Sequence, residues 1–165
     1  MTAESFADLW ERSTGVEFLL AIARGNVPHP PHTKDVGLSI ETVSPGRLEL
    51  SWQPPSRLTN PAGIVHGGYI AIALDDASGL SCASLGDRFR PMLTLDLHVD
   101  FVRPVRPETR YRAIGEVVHA GSTRTIADAR ILDSDGKLIA RASGTFTPNR
   151  AFDPTRYPKA SKNTG

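Results

Sequence analysis

The chain has 165 residues and a mass of 17.8 kDa, a size that fits one domain with a substantial hydrophobic core. Its 19 basic and 18 acidic side chains nearly balance, and the arginines are scattered, so the charge gives no indication of nucleic-acid binding. One cysteine, Cys82, excludes an internal disulfide and is interpreted as a small buried thiol. The first residues lack a signal-peptide pattern and no run could span a membrane, so we expect a cytoplasmic protein that binds no membrane.

The N-terminal region predicts one helix followed by a linker. Apolar residues recur at close to helical spacing over residues 5–24, with Ser5 as a plausible N-cap. The Pro-rich residues 27–34 predict an extended linker. This linker contains His29 and His32, but its prolines prevent a helix from bringing both onto one face, so we predict no metal site there.

Six strand-like runs surround one long predicted helix. Two runs precede the helix and four follow it, and most are joined by turn sequences such as Asp135-Gly136. The predicted strands cover residues 37–43, 47–53, 92–101, 110–120, 124–133 and 137–147, and the helix covers about 66–84. A single long helix needs one broad antiparallel sheet to cover it, so the sequence predicts an α+β domain with the helix wrapped by the sheet.

The long helix carries two acids in an otherwise apolar run. Over residues 69–85 the charged side chains are Asp75 and Asp76. A helix that is apolar on nearly every side is normally buried. Placing two carboxylates in it costs several kcal/mol unless something there uses or neutralises them. The run therefore indicates an active site.

The start of this helix is suited to hold an oxygen that gains negative charge. Gly67 and Gly68 follow His66 and leave their backbone N–H groups open at the positive end of the helix. Asp75 then supplies a general base for water or a carboxylate nucleophile. Together with Asn60 before the helix, this pattern favours acyl transfer to water.

One copy of the helix cannot aim both groups at one bond. His66 and Asp75 are nine residues apart, which places them on opposite faces and roughly 13 Å apart along the axis. Two copies related by a two-fold axis could bring the start of one helix beside the middle of the other. We therefore predict a site shared between two subunits and at least a homodimer.

The motif Asn-Pro-x-Gly-x-x-His-Gly-Gly at residues 60–68, followed by Asp75, resembles the PaaI-type branch of the hotdog-fold acyl-CoA thioesterases, in the 4-hydroxybenzoyl-CoA thioesterase-like superfamily. Weaker likenesses cover most of residues 19–147 in the order that the family shows; they lie at 25–31, 101–104, 119–123 and 135–140. The resemblance implies a hotdog fold, paired subunits often assembled into a homotetramer, and hydrolysis of acyl-CoA without metal or other cofactor.

The resemblance also implies roles for individual residues. By motif position, Asp75 is the catalytic carboxylate and Gly67 the amide donor to the thioester oxygen. Asn60 and His66 line the opposite side of the site, from the neighbouring subunit. Thr94 falls where the family often places a Ser or Thr that helps to hold the attacking water.

Asp76 is a second candidate acid, and four further residues are candidates for contacts with coenzyme A. Asp76 is rotated by about 100° from its neighbour on the helix and is the weaker candidate for the catalytic acid. Gly68 and the turn residues Ser122, Thr123 and Arg124 are the candidates for coenzyme A, with Arg124 available for a phosphate. An ordinary hairpin connection is the equally simple interpretation of that turn.

We predict three parts: an N-terminal helix and Pro-rich linker (1–35), a hotdog thioesterase domain (36–148) and a polar tail (149–165). Two alternatives stay open. A hotdog hydratase or dehydratase would act on an enoyl thioester, although its motifs differ. A non-catalytic acyl-CoA sensor would need a DNA-binding appendage, for which the region before the first strand is too short.

Overall fold

The computed structural model describes residues 6–153. Within this range lie four α-helices and six strands. They are α1 (Phe6–Arg12), α2 (Gly15–Ala23), α3 (Pro31–Val36), β1 (Leu38–Ser44), β2 (Arg47–Trp52), α4 (Gly67–Ala83), β3 (Met92–Phe101), β4 (Tyr111–Ala120), β5 (Thr125–Leu132) and β6 (Leu138–Pro148).

The six strands form one antiparallel sheet that wraps α4. The strand order is β1-β2-β4-β5-β6-β3, so β3, which follows the helix in sequence, lies at an edge next to β6. Helix α4 contacts five of these strands, β2 through β6. The prediction of an α+β hotdog fold is confirmed, and each predicted strand agrees with the observed one to within one residue at either end.

Helix α4 lies directly on the backbone of β4. Gly115 faces Ala77, and a Cβ added at Gly115 would lie 1.9 Å from the Ala77 carbonyl oxygen. Ser78, fully buried beside this contact, donates a hydrogen bond of 2.7 Å to the carbonyl of Leu74, one turn earlier. The helix can therefore bury serines without leaving their hydroxyls unpaired, since such bonds return to the helix itself.

The predicted N-terminal helical region is present, but the prediction of one continuous helix over residues 5–24 is wrong, because the chain breaks between α1 and α2. Thr14 caps α2: its side-chain oxygen accepts from the Glu17 N–H at 3.2 Å, and the Glu17 carboxylate accepts from the Thr14 N–H at 2.9 Å. This capping box satisfies donors that a continuous helix would otherwise bond, and it starts a new helix. The predicted cap, Ser5, lies outside the described residues.

The prediction of an extended linker over residues 27–34 is also wrong in its second half. Helix α3 begins there with Pro31 at its first position and ends before Gly37, whose φ is +79°. Proline is pre-organised for the first helical turn, and glycine accepts the left-handed conformation that terminates it. The indole of Trp52 donates to the Val36 carbonyl at 3.0 Å, which fastens α3 to the sheet. His32 is consequently held on a helix.

The N-terminal helices belong to the same packed body as the sheet. Phe18 and Leu19 of α2 are 1% and 0% exposed. Phe152, in the predicted polar tail, stacks on Trp10 of α1 with ring centroids 4.5 Å apart. The three-part division of the chain stays a prediction, and residues 154–165 lie outside the described range. None of the helices within residues 6–153 combines the length and apolar character that a membrane span requires.

Candidate active site

The structure brings two of the predicted site residues together, Asp75 in the middle of α4 and Thr94 on the neighbouring strand β3. The Thr94 hydroxyl, on β3, donates a hydrogen bond of 2.8 Å to Oδ1 of Asp75. The register of β3 against β6 shifts between Thr94 and Asp96, and such bulges re-aim side chains beside active sites. One oxygen of Asp75 is thereby held in place, and its other oxygen accepts no hydrogen bond from the described residues.

The surroundings of Asp75 disfavour its ionised form. Partial burial raises the pKa of this carboxyl above its ordinary value, and the neighbouring charge of Asp76 raises it further. The hydrogen bond from Thr94 and the charge of His32 act in the opposite direction. A carboxylate with a raised pKa takes up a proton from water more readily, which suits a general base.

Asp76 is held by a residue that the sequence analysis did not assign. His32 Nε2 of α3 lies 3.1 Å from both carboxylate oxygens of Asp76. This hydrogen bond raises the pKa of the His32 imidazole. Asp76 is therefore engaged in a structural ion pair, while Asp75 faces Thr94. No local sequence signal points to this pair, because its members are 44 residues apart.

At the start of α4, the backbone N–H groups of two adjacent glycines differ in their hydrogen bonding. His66 is the N-cap, and its Nδ1 accepts a hydrogen bond of 3.0 Å from the Gly68 N–H. The Gly67 N–H, at the first helical position, has no acceptor among residues 6–153. Gly67 also sits against the end of β3, since a Cβ there would lie 3.3 Å from the Phe101 ring. Gly67 is the free donor, whereas the amide of Gly68 is already used.

Asn60 closes the loop that leads into this helix. Its side-chain oxygen accepts from the Ala62 N–H at 2.9 Å, and its own N–H donates to the Ile64 carbonyl at 2.8 Å. Within one chain, Gly67 and Asp75 are eight residues apart on the helix, which is roughly 12 Å along its axis. The acid and the free amide of one chain therefore do not converge on one atom.

Asp75 opens into a cavity of about 200 Å³, here called the Asp75 cavity. It lies between the C-terminal half of α4 and helices α1 and α2. Its polar side chains are Asp75, Asp76 and Thr94, and the rest of its lining is apolar or aromatic. An apolar pocket with a few convergent polar groups is the usual form of a small-molecule site.

The turn predicted to bind coenzyme A lies elsewhere on the surface. Ser122, Thr123 and Arg124 are exposed and do not line the Asp75 cavity. Their neighbours in sequence border a second groove of about 450 Å³, together with Arg88 and Arg90 from the loop after α4. No sequence motif marks these two arginines, which stand in a short polar segment.

Two further predictions concern reactive groups. Cys82 is buried, and burial raises the pKa of its thiol to about 12, so it is not a nucleophile. Within residues 6–153, no three His, Cys, Asp or Glu side chains cluster closely enough to hold a metal ion.

Comparisons with known proteins relate this chain to one family. The model of the Thioesterase superfamily matches residues 62–140, which include Gly67, Asp75 and Thr94. The medium/long-chain acyl-CoA thioesterase YigI of Salmonella typhimurium is 31% identical over 148 residues, covering 81% of this chain and 95% of that protein.

Two solved structures extend the comparison. The PaaI protein of the Escherichia coli phenylacetic acid degradation operon matches the fold with a TM-score of 0.71 at 21% identity, over 79% of this chain and 92% of that one. A hypothetical thioesterase from Streptococcus pneumoniae, solved with coenzyme A, gives a TM-score of 0.63 at 26% identity, over 68% and 89% of the two chains.

Proposed function

This chain belongs to the thioesterase superfamily and is a thioester hydrolase, and from that premise we propose that it hydrolyses an acyl-CoA thioester to a free acid and coenzyme A. The observation that carries the proposal is the half-buried Asp75 held by Thr94 at the mouth of an apolar cavity. The likeness to a named acyl-CoA thioesterase, and to a thioesterase solved with coenzyme A, supports the choice of thioester.

In the proposed reaction Asp75 acts as general base or as nucleophile. As a base, its free oxygen takes a proton from water while the water attacks the thioester carbon, and Thr94 keeps the carboxylate oriented. As a nucleophile, it attacks that carbon itself and water then hydrolyses the resulting anhydride. In both routes the carbonyl oxygen becomes negative and the thiolate of coenzyme A leaves.

The oxygen would be stabilised by Gly67 of a second subunit. The Gly67 N–H is free and lies at the positive end of α4, where a developing negative charge is favoured. In antiparallel pairing of two β3 strands, the Phe101 end of one strand lies beside the Thr94 end of the other. Because Gly67 packs against Phe101, this pairing would carry the partner's Gly67 toward Asp75.

The exposed edge of the sheet supports such pairing. Strand β3 hydrogen-bonds to β6 on one side and has no strand on its other side within the described residues. Leu93, Leu95 and Phe101 on this strand are 48%, 51% and 57% exposed. A long edge strand with exposed apolar side chains is a template for a further strand, so at least a homodimer is proposed. Asn60 and His66 would then border the site from the partner, beside its Gly67.

Release of free thiol from acyl-CoA, followed with a thiol reagent, tests the activity. We expect turnover by the wild type, a loss of about 100-fold or more for Asp75→Asn, and retention of most activity for the matched change Asp76→Asn. Circular dichroism and gel filtration check that both variants keep the fold. Loss of turnover in Asp76→Asn alone would overturn the assignment, and a change in enoyl-thioester absorbance without thiol release would favour a hydratase instead.

A further inference from the structure

The Asp75 cavity follows α4 away from the acid. Its lining includes Asp75, Gly79, Leu80 and Ala83, which share one face of the helix. Eight residues separate the first from the last, which is roughly 12 Å along the axis. The cavity is therefore long enough for a hydrocarbon chain of medium length that begins at the reacting carbon.

The side-chain oxygens and ionisable groups of the cavity lining are confined to one end. Asp75, Asp76 and Thr94 are at the same level of the helix, since Thr94 bonds to Asp75. Beyond that level, no lining side chain carries an oxygen or an ionisable group. A hydroxyl or carboxylate buried there would lose most of its hydrogen bonds to water without replacement, because the indole N–H of Trp10 is the single donor among those side chains. This loss costs about 1–3 kcal/mol or more.

Four aromatic side chains line the far end and are called the aromatic wall: Trp10, Phe18, Phe89 and Phe152. Trp10 stacks on Phe152 at 4.5 Å between ring centroids and meets the rings of Phe18 and Phe89 edge-on at 5.5 and 5.1 Å. Phe18 stacks on Phe89 at 4.2 Å. The wall thus joins three segments that are distant in sequence: α1 with α2, the loop after α4, and the segment after β6.

The wall stands at the C-terminal end of α4. Gly15, the first residue of α2, lies so close to Ala83 that a Cβ there would be 2.1 Å from the Ala83 carbonyl oxygen. The Phe89 N–H donates to the Ser13 carbonyl at 3.0 Å, which ties the loop after α4 to the α1–α2 junction. The cavity therefore runs from the acid at one end to aromatic rings at the other.

We propose, resting on the function proposed above, that the Asp75 cavity holds the acyl group and that the aromatic wall limits its length. The substrate is then a plain hydrocarbon acyl group of medium length, about octanoyl to decanoyl. Acyl groups with a polar far end, such as hydroxybenzoyl, are disfavoured because the wall offers them no side-chain hydrogen-bonding group other than the indole N–H of Trp10.

A ladder of butanoyl-, octanoyl-, dodecanoyl- and hexadecanoyl-CoA tests the wall. For the wild type we expect kcat/KM to be highest near octanoyl and to fall for the longer chains. Phe152→Ala should raise the ratio of kcat/KM for dodecanoyl over octanoyl by about 10-fold or more, since each methylene accepted or rejected by a pocket has that order of effect. Leu80→Phe, which fills the middle of the cavity, should lower the ratio of octanoyl over butanoyl.

Val118→Ala is the matched control, because it truncates an apolar side chain that is 63% exposed and outside the cavity. It should leave both ratios unchanged. An ω-hydroxyoctanoyl substrate should lose about 10-fold to 100-fold in kcat/KM relative to octanoyl in the wild type. Unchanged ratios in Phe152→Ala and Leu80→Phe, or no loss for the hydroxylated chain, would overturn the proposal.

A binding measurement covers the case in which a wall variant fails to fold. Octanoyl-CoA added to Asp75→Asn should change the fluorescence of Trp10, and the change should vanish in Asp75→Asn/Trp10→Phe; coenzyme A alone should not cause it. Calorimetry that detects octanoyl-CoA binding without this change overturns the acyl cavity. Absence of both binding and turnover for every acyl-CoA would instead overturn the proposed function.

Discussion

Asp75 is surrounded by three groups that set its charge, each from a different position in the fold. Asp76 is adjacent on α4, Thr94 reaches it from β3, and His32 approaches from α3 through its bond to Asp76. Burial and Asp76 oppose ionisation, whereas Thr94 and His32 favour it. These neighbours together set the pKa of Asp75, and each of them can be substituted separately.

The pH dependence of kcat/KM should report this balance. The proposed reaction needs ionised Asp75, so activity should rise as pH passes the pKa of this carboxyl, which burial holds above the ordinary carboxyl value. Thr94→Val removes a hydrogen bond to the ionised form and should shift the acidic limb to higher pH.

Asp76→Asn should shift the same limb to lower pH. The negative charge of Asp76 raises the pKa of Asp75 more than the positive charge of His32 lowers it. Removing the Asp76 charge should therefore lower the pKa of Asp75, even though His32 loses its hydrogen-bond partner. Steady-state rates across the acidic range check both directions. Shifts of the same sign in the two variants would show that another group controls the limb.

At the scale of elements, the strands and α4 could be predicted because their signals are local. Alternating β-branched residues and the Asp135-Gly136 turn fix strand positions, and a long apolar run fixes the helix. The N-terminal elements could not be predicted as well. The capping box at Thr14 starts α2, and Pro31 and Gly37 mark the start and the end of α3. These are short signals within longer patterns that favoured one helix and a linker.

The candidate site, like the fold, could be predicted from the sequence only in part. The pairing of Asp75 with Thr94 agrees with the motif, because both residues lie on elements with clear sequence signals. The bond between His32 and Asp76 and the aromatic wall depend on α1, α2 and α3 packing against α4. Contacts of that kind arise from tertiary packing, and no periodicity or spacing in one stretch of sequence encodes them.

The contact between α4 and β4 gives a prediction for stability. Gly115→Ala places a methyl group 1.9 Å from the Ala77 carbonyl oxygen, and backbone on both sides cannot rotate away. We expect a loss of at least about 1–3 kcal/mol in the free energy of unfolding. Urea unfolding followed by circular dichroism measures it.

The matched change Gly79→Ala lies on the same helix and meets only the Phe146 ring, at 3.4 Å. It should leave stability unchanged or increase it by up to about 1 kcal/mol, because alanine is the better helix former. Equal destabilisation by both changes would mean that the helix does not lie against β4 as described.

At the scale of the whole molecule, the proposed site is complete only in a dimer. Pairing of two β3 edges would create two equivalent sites, each with Asp75 from one subunit and Gly67 and His66 from the other. In this arrangement, two inactive variants that are changed in different halves of the site should form one intact site when they pair.

Coexpression of Asp75→Asn and His66→Ala chains with different tags, purified through both tags, gives the mixed dimer. One of its sites carries both changes and the other carries neither, so about half of the wild-type activity should return. Each variant alone should be strongly impaired. A mixed dimer no more active than the mean of its parents would mean that each site lies within one chain.

The position of Cys82 matters for an enzyme whose proposed product is itself a thiol. A protein thiolate that is accessible attacks the disulfide of oxidised coenzyme A, forms a mixed disulfide and releases one coenzyme A, but the chain's single cysteine is buried and stays protonated at neutral pH. The folded protein can therefore accumulate its product without forming a mixed disulfide with it.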